Sequence, residues 1–254
     1  MLRSYFFKLL RSPFLYAGMI CVLGLCLFYA NDYLGGSNGL GGADVYSDMH
    51  LLLELKGYRK AFIIFGAIPF AANYADEWNS KAIINCVTRK SALNYAASNI
   101  AVCFISALLT VFVPMIVFAA ASGCGSKIFY NGTSGPATYG EFLEMGLPFL
   151  SIVFYFFTFA LSCAMWAVTG MTLSAFFPSK YIALGAPFIF SNVIERITLG
   201  MPPLLNFMGL SMSHIGFPTA ASLGYTLLVF GGFSVICGIL FAKKIEKRVQ
   251  NELG

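Results

Sequence analysis

Six stretches of this chain contain no Asp, Glu, Lys or Arg: residues 12–31, 61–75, 91–126, 145–179, 181–194 and 197–242. A water-facing domain cannot run that far without charge. A helix crossing about 30 Å of hydrocarbon, by contrast, needs roughly 20 apolar residues at about 1.5 Å of rise each. In lipid every backbone N–H and C=O must be paired inside its own segment, so a crossing is helical, and Pro and Gly clusters mark where the chain leaves. Dividing the stretches at those clusters predicts helices near 13–31, 60–77, 94–121, 147–176, 181–198 and 219–242. The expected fold is an all-α polytopic membrane protein of about six transmembrane helices. Only 11% of the residues are charged and 58% are hydrophobic, against about 25% charged in an average soluble domain.

An even number of crossings puts both termini on one side. Eleven of the sixteen Lys and Arg residues fall there: Arg3, Lys8, Arg11, Lys81, Arg89, Lys90, Lys180, Lys243, Lys244, Lys247 and Arg248. Cationic flanks stay in the cytoplasm, so both termini are expected to be cytoplasmic in a multi-pass protein of a bacterial plasma membrane. The five exceptions are Lys56, Arg59, Lys60, Lys127 and Arg196, three of which crowd the start of the second span. The net charge of +5 thus reads as topology, and no nucleic-acid partner is expected.

The chain reads as one membrane domain: an interfacial helix over 1–12, a six-helix region over 13–242 and a basic cytoplasmic tail over 243–254. Leu2, Tyr5, Phe6, Leu9 and Leu10 recur at helical spacing opposite Arg3, Ser4 and Arg11, the pattern of an elbow helix lying flat in the interface. The first apolar run has no small-x-small cleavage site before a soluble domain, so the first helix is expected to remain. Gly35, Gly36, Gly39, Gly41 and Gly42 form a flexible connector, followed by a second apolar face of Val45, Met49, Leu52 and Leu53 expected to rest on the outer membrane surface.

Catalytic chemistry finds no foothold. The seven cysteines are odd in number and sit mostly in apolar runs, and His50 and His214 are far apart, so neither a disulfide framework nor a metal site is expected. There is no phosphate-binding Gly-x-x-x-x-Gly-Lys-Ser/Thr loop, no Gly-x-Ser-x-Gly elbow and no His-Glu-x-x-His helix. The chain is expected to be no enzyme and to bind no cofactor. If energy is used, a partner supplies it.

The most informative segment joins the second and third spans. Asp76 and Glu77 stand where a helix over 76–87 would begin, Glu77 lies four residues before Lys81, and Trp78, Ala82 and Ile83 are left to pack against something. Glu77, the apolar pair Ile83-Ile84, then Thr88-Arg89 and Ser91 leading into span three resemble the second cytoplasmic segment of membrane subunits of type 2 ABC export systems. The layout of amphipathic start, about six helices and basic tail is similar across nearly the whole chain. Two positions depart from the family pattern: Lys81-Ala82 stands for a common Gly-Thr pair, and Asn99 for a common lysine. The resemblance implies a coupling helix that inserts into a groove of a separate ATPase, carried by Asp76, Glu77, Trp78, Arg89 and Lys90. It also implies a dimer with a second permease copy or paralogue, two ATPase copies holding ATP and Mg, and export. Without it, the same segment is a charged loop that orients two spans.

Three further features remain. Ala160, Ala164, Ala167, Gly170 and Ser174 share one face of span four, a stripe for close packing inside the subunit or at a dimer seam. Glu195 and Arg196 lie near membrane depth, where charges are costly; as neighbours on a helix they point apart. Either span five ends at Ile194 and both are in water, or a re-entrant hairpin over 201–214 follows, and Glu195, Arg196 and Phe207 form an external gate. Tyr155, Thr158, Ser162, Thr169 and Asn192 are expected to line a route for an amphipathic or hydrophobic substrate such as a peptide, a drug or a lipid-linked molecule. The competing reading is a stand-alone channel or secondary transporter, favoured if Glu195 and Arg196 are buried partners.

Overall fold

The structure is a computed structural model and describes residues 2–31, 44–83, 87, 91–125, 139–212 and 216–253. Its organising element is α8 (Pro148–Phe176), which is buried along most of its length. Around it stand α2 (Pro13–Tyr29), α4 (Lys56–Ala67), α6 (Ala92–Gly125), α9 (Lys180–Thr198) and α11 (Thr219–Leu253), with α6, α9, α11 and α4 against it directly. Shorter helices close the ends: α1 (Leu2–Leu10), α3 (Val45–Glu54), α5 (Asn73–Asn79), α7 (Gly140–Glu144) and α10 (Phe207–Ser211). Among the described residues there is no strand.

The outward faces are apolar. Phe14, Ile20 and Phe28 on α2, Val117 on α6, Ile189 on α9 and Leu228 and Ile236 on α11 are all exposed. Apolar side chains on this scale, on several helices at once, fit a lipid surround and not water. Among the described residues three helices are long and apolar enough to cross a membrane, 92–124, 148–176 and 219–251, and α1 with α2, bent by 51°, makes a fourth if the pair is one span.

Two of the expected spans are therefore not of that kind. The second, 60–77, is broken into α4 of 12 residues and α5 of 7 residues, joined by turns over 68–72. Pro69 withholds the N–H that would continue the ladder. The fifth forms as α9, but it carries Lys180, Glu195 and Arg196 and falls outside the apolar set.

Two amphipathic segments face the protein. Tyr5 and Leu9 of α1 are buried, while Phe7 and Leu10 look outward. Val45, Met49, Leu52 and Leu53 of α3 are buried in the main core, and Tyr29 donates a 3.0 Å hydrogen bond to the Asp48 carbonyl, so this face is not left on an outer surface. The Gly-rich connector over 35–42 lies outside the described residues. The expected basic tail continues α11 as helix to Leu253, with Ile245 and Val249 buried.

The small-residue stripe of α8 is used inside the subunit. Ala160, Ala164, Ala167, Gly170 and Ser174 are all buried. A Cβ at Gly170 would run into the Ala183 carbonyl oxygen and the Pro187 ring of α9, which is why only glycine allows that approach.

Candidate functional site

Two polar clusters sit in this apolar bundle, one on α5 and one between α4 and α9. On α5, Glu77 is buried and accepts hydrogen bonds from Tyr5 Oη at 3.1 Å, Tyr95 Oη at 2.7 Å and Lys8 Nζ at 3.0 Å. Lys8 also donates to Asn73 Oδ1 at 2.7 Å, and Asn73 Nδ2 donates to Asn99 Oδ1 at 3.0 Å. Asn99 thus completes a neutral amide link. Asp76 pairs with Lys180 of α9. Trp78 stacks on Tyr74 and lies under the Arg248 guanidinium at 4.8 Å, while Arg248 donates to the Phe176 carbonyl at 2.7 Å.

Side chains from α1, α6, α9 and α11 therefore hold this one short helix. Its geometry differs from the expected helix over 76–87: α5 stops at Asn79, and Lys81 takes a left-handed φ of 57°. Glu77 is not at an outward rim, and Ile83 is buried within the chain. Among the described residues of this stretch Asp76, Asn79, Ser80 and Lys81 are exposed, the last three in succession. Arg89 and Lys90 lie outside the described residues.

The second cluster joins α4 to α9. Glu195 Oε2 receives Arg59 Nη2 at 2.8 Å and Lys60 Nζ at 2.9 Å. Lys60 also donates to Ser191 Oγ at 3.1 Å, and Arg59 Nη1 reaches Met212 Sδ at 3.5 Å. Arg59 is 1% exposed, Lys60 8% and Glu195 8%. At such depth one carboxylate faces two cations, and an isolated buried charge costs several kcal/mol. His50 stacks on Tyr155 with ring centroids 3.9 Å apart and meets the Tyr46 ring at a tilt, 4.5 Å away. Burial pushes the Tyr46 hydroxyl up to about 12, with the Asp44 carboxylate adding to the shift and a hydrogen bond with Ser151 opposing it.

The expected gate residues separate here. Glu195 is buried and Arg196 is exposed, so they are not partners. Glu195 is held by Arg59 and Lys60. Phe207 packs against Trp166, Phe230 and Phe233, and its N–H donates to Thr198 Oγ1 at 3.2 Å. Residues 201–205 are exposed, whereas Leu210, Ser211 and Met212 are buried.

The hydroxyls expected to line a route mostly bond back into their own helix. Thr158, Ser162 and Thr169 donate to the carbonyls of Phe154, Phe159 and Met165, and the Asn192 amide donates to Phe188. The sequence reading missed Arg59 and Lys60 as site residues, although their clash with the positive-inside pattern was the signal. It also missed Tyr5, Lys8 and Tyr95, for which the sequence gives no signal.

Comparison with models of protein families, with curated proteins and with solved structures finds no match.

Proposed function

We propose that the chain is the permease subunit of an ATP-driven exporter of the type 2 ABC class, paired with a second permease copy or paralogue and with two copies of a separate ATPase. The observation that carries this reading is the anchoring of α5. Glu77, Trp78, Asn73 and Asp76 tie the segment that resembles a coupling element to α1, α6, α9 and α11. A push on the exposed Asn79–Lys81 turn would then reach the membrane helices through buried bonds. In this mechanism Glu77 transmits the displacement, and the turn makes the contact.

The reading includes the finer topology. The α4–α5 stretch and α9 complete about six crossings, α1 is the elbow, residues 201–212 dip back at the outer end, and both termini are cytoplasmic. The chain performs no ATP hydrolysis itself; ATP and Mg bind the partner. The substrate is amphipathic or hydrophobic.

The test is purification of the full-length chain from its native membrane under mild detergent, with a photo-crosslinking residue placed at Ser80. A P-loop ATPase that copurifies and crosslinks at that position supports the reading. An intact chain without any ATPase sinks it. A stand-alone carrier is then the better reading, and the buried Arg59–Lys60–Glu195 cluster favours it, because intramembrane charges mark substrate or ion paths.

A further inference from the structure

The Arg59–Lys60–Glu195 cluster is short of negative charge. Glu195 spends one oxygen on both cations. Arg59 has one strong acceptor, on Nη2, and one weak one, the Met212 thioether, on Nη1; among the described residues its buried Nε has no acceptor. The Tyr155 hydroxyl is also buried, has no hydrogen-bond partner among the described residues, and lies in the electrostatic field of Arg59. Glu54 acts on the same hydroxyl, yet it is exposed and makes no ion pair with either cation among the described contacts. Arg59 and Lys60 also stand near the start of α4, which lacks a side-chain cap, and the positive end of its dipole adds to their field.

Unused donors, an uncompensated cation and a helix start meet here, and among the described residues Glu195 is the one carboxylate paired with either cation. We propose that Arg59, Lys60 and Tyr155 form a binding site for an oxyanion, a phosphate or carboxylate borne on an apolar tail. Guanidinium donors suit such a group, and an unpaired buried donor is costly to leave empty. Entry is past Met212, whose thioether is a weak acceptor and is readily displaced from Arg59. The tail would lie among the apolar side chains of α8 and α10. This inference names a substrate class for the transport reading and rests on it, but binding by the isolated chain needs no ATPase, so the two can fail separately.

The test is thermal unfolding of the purified full-length chain in neutral detergent, titrated with octyl phosphate, inorganic phosphate or octanol. A ligand bound only by the folded state raises Tm in a saturable way. Octyl phosphate is expected to raise Tm by a few degrees and octanol to leave it unchanged. A rise with inorganic phosphate alone would support the site for a free anion. Lys60→Gln leaves Arg59 and Glu195 balanced one to one and is expected to weaken the apparent affinity about tenfold or more. Tyr155→Phe removes only an unpartnered hydroxyl, should fold at least as well, and is expected to weaken binding several-fold; it decides the matter if Lys60→Gln does not fold. No response to either phosphate, or equal responses in the wild type and both variants, would overturn the proposal.

Discussion

Lys81 occupies a left-handed conformation directly after the last turn of α5, a position at which helices commonly end on glycine. The family that the sequence resembles often has glycine there, so the departure in residue type sits on a backbone shape that glycine would satisfy. A non-glycine residue in that region costs about 1–2 kcal/mol, and Lys81→Gly should stabilise the protein by about 1 kcal/mol in thermal unfolding. Glu77 gives the opposite expectation. Glu77→Ala strips the acceptor from Tyr5, Tyr95 and Lys8 and should cost about 2–3 kcal/mol, whereas an exposed rim carboxylate would cost almost nothing. Gly170→Ala drives a methyl into α9 and should destabilise by about 1–3 kcal/mol, with the same measurement as the check.

At the scale of elements, the long apolar helices were legible because hydrocarbon demands length and lack of charge together: 94–121 and 219–242 each fall within a single helix, and 147–176 does so from its second residue. The α4–α5 break was not, because residues 61–75 are uncharged and only the packing reveals where Pro69 ends the ladder. Helical periodicity found the apolar faces of α1 and α3 but not what covers them, since lipid and protein make the same demand on a side chain. The stretch from Met201 to Met212 shows both behaviours. Leu204 is 37% exposed and Leu210 1%, so in a cysteine-free background a membrane-impermeant thiol reagent should label Leu204→Cys rapidly and leave Leu210→Cys protected. Equal rapid labelling of both would mean that α10 is not docked.

For the whole molecule, the cation count remains the argument for orientation, and moving Arg59 and Lys60 from loop to interior strengthens it: two of its five exceptions are ion-paired core residues. A reporter fused at the C-terminus should therefore be active only in the cytoplasm, and external activity would invert every loop. The candidate sites were less legible than the spans, because each is made by residues distant in sequence: Arg59 meets Glu195, and Trp78 meets Arg248. Chain order adds one more consequence of the Glu77 cluster. Tyr5 and its acceptor are separated by 72 residues, so at about 5–20 residues per second the N-terminal helix waits roughly 4–14 s during synthesis before its carboxylate exists. For that interval α1 has only the membrane surface to rest on, and the nascent protein stays unlatched at its first segment until α5 has been made.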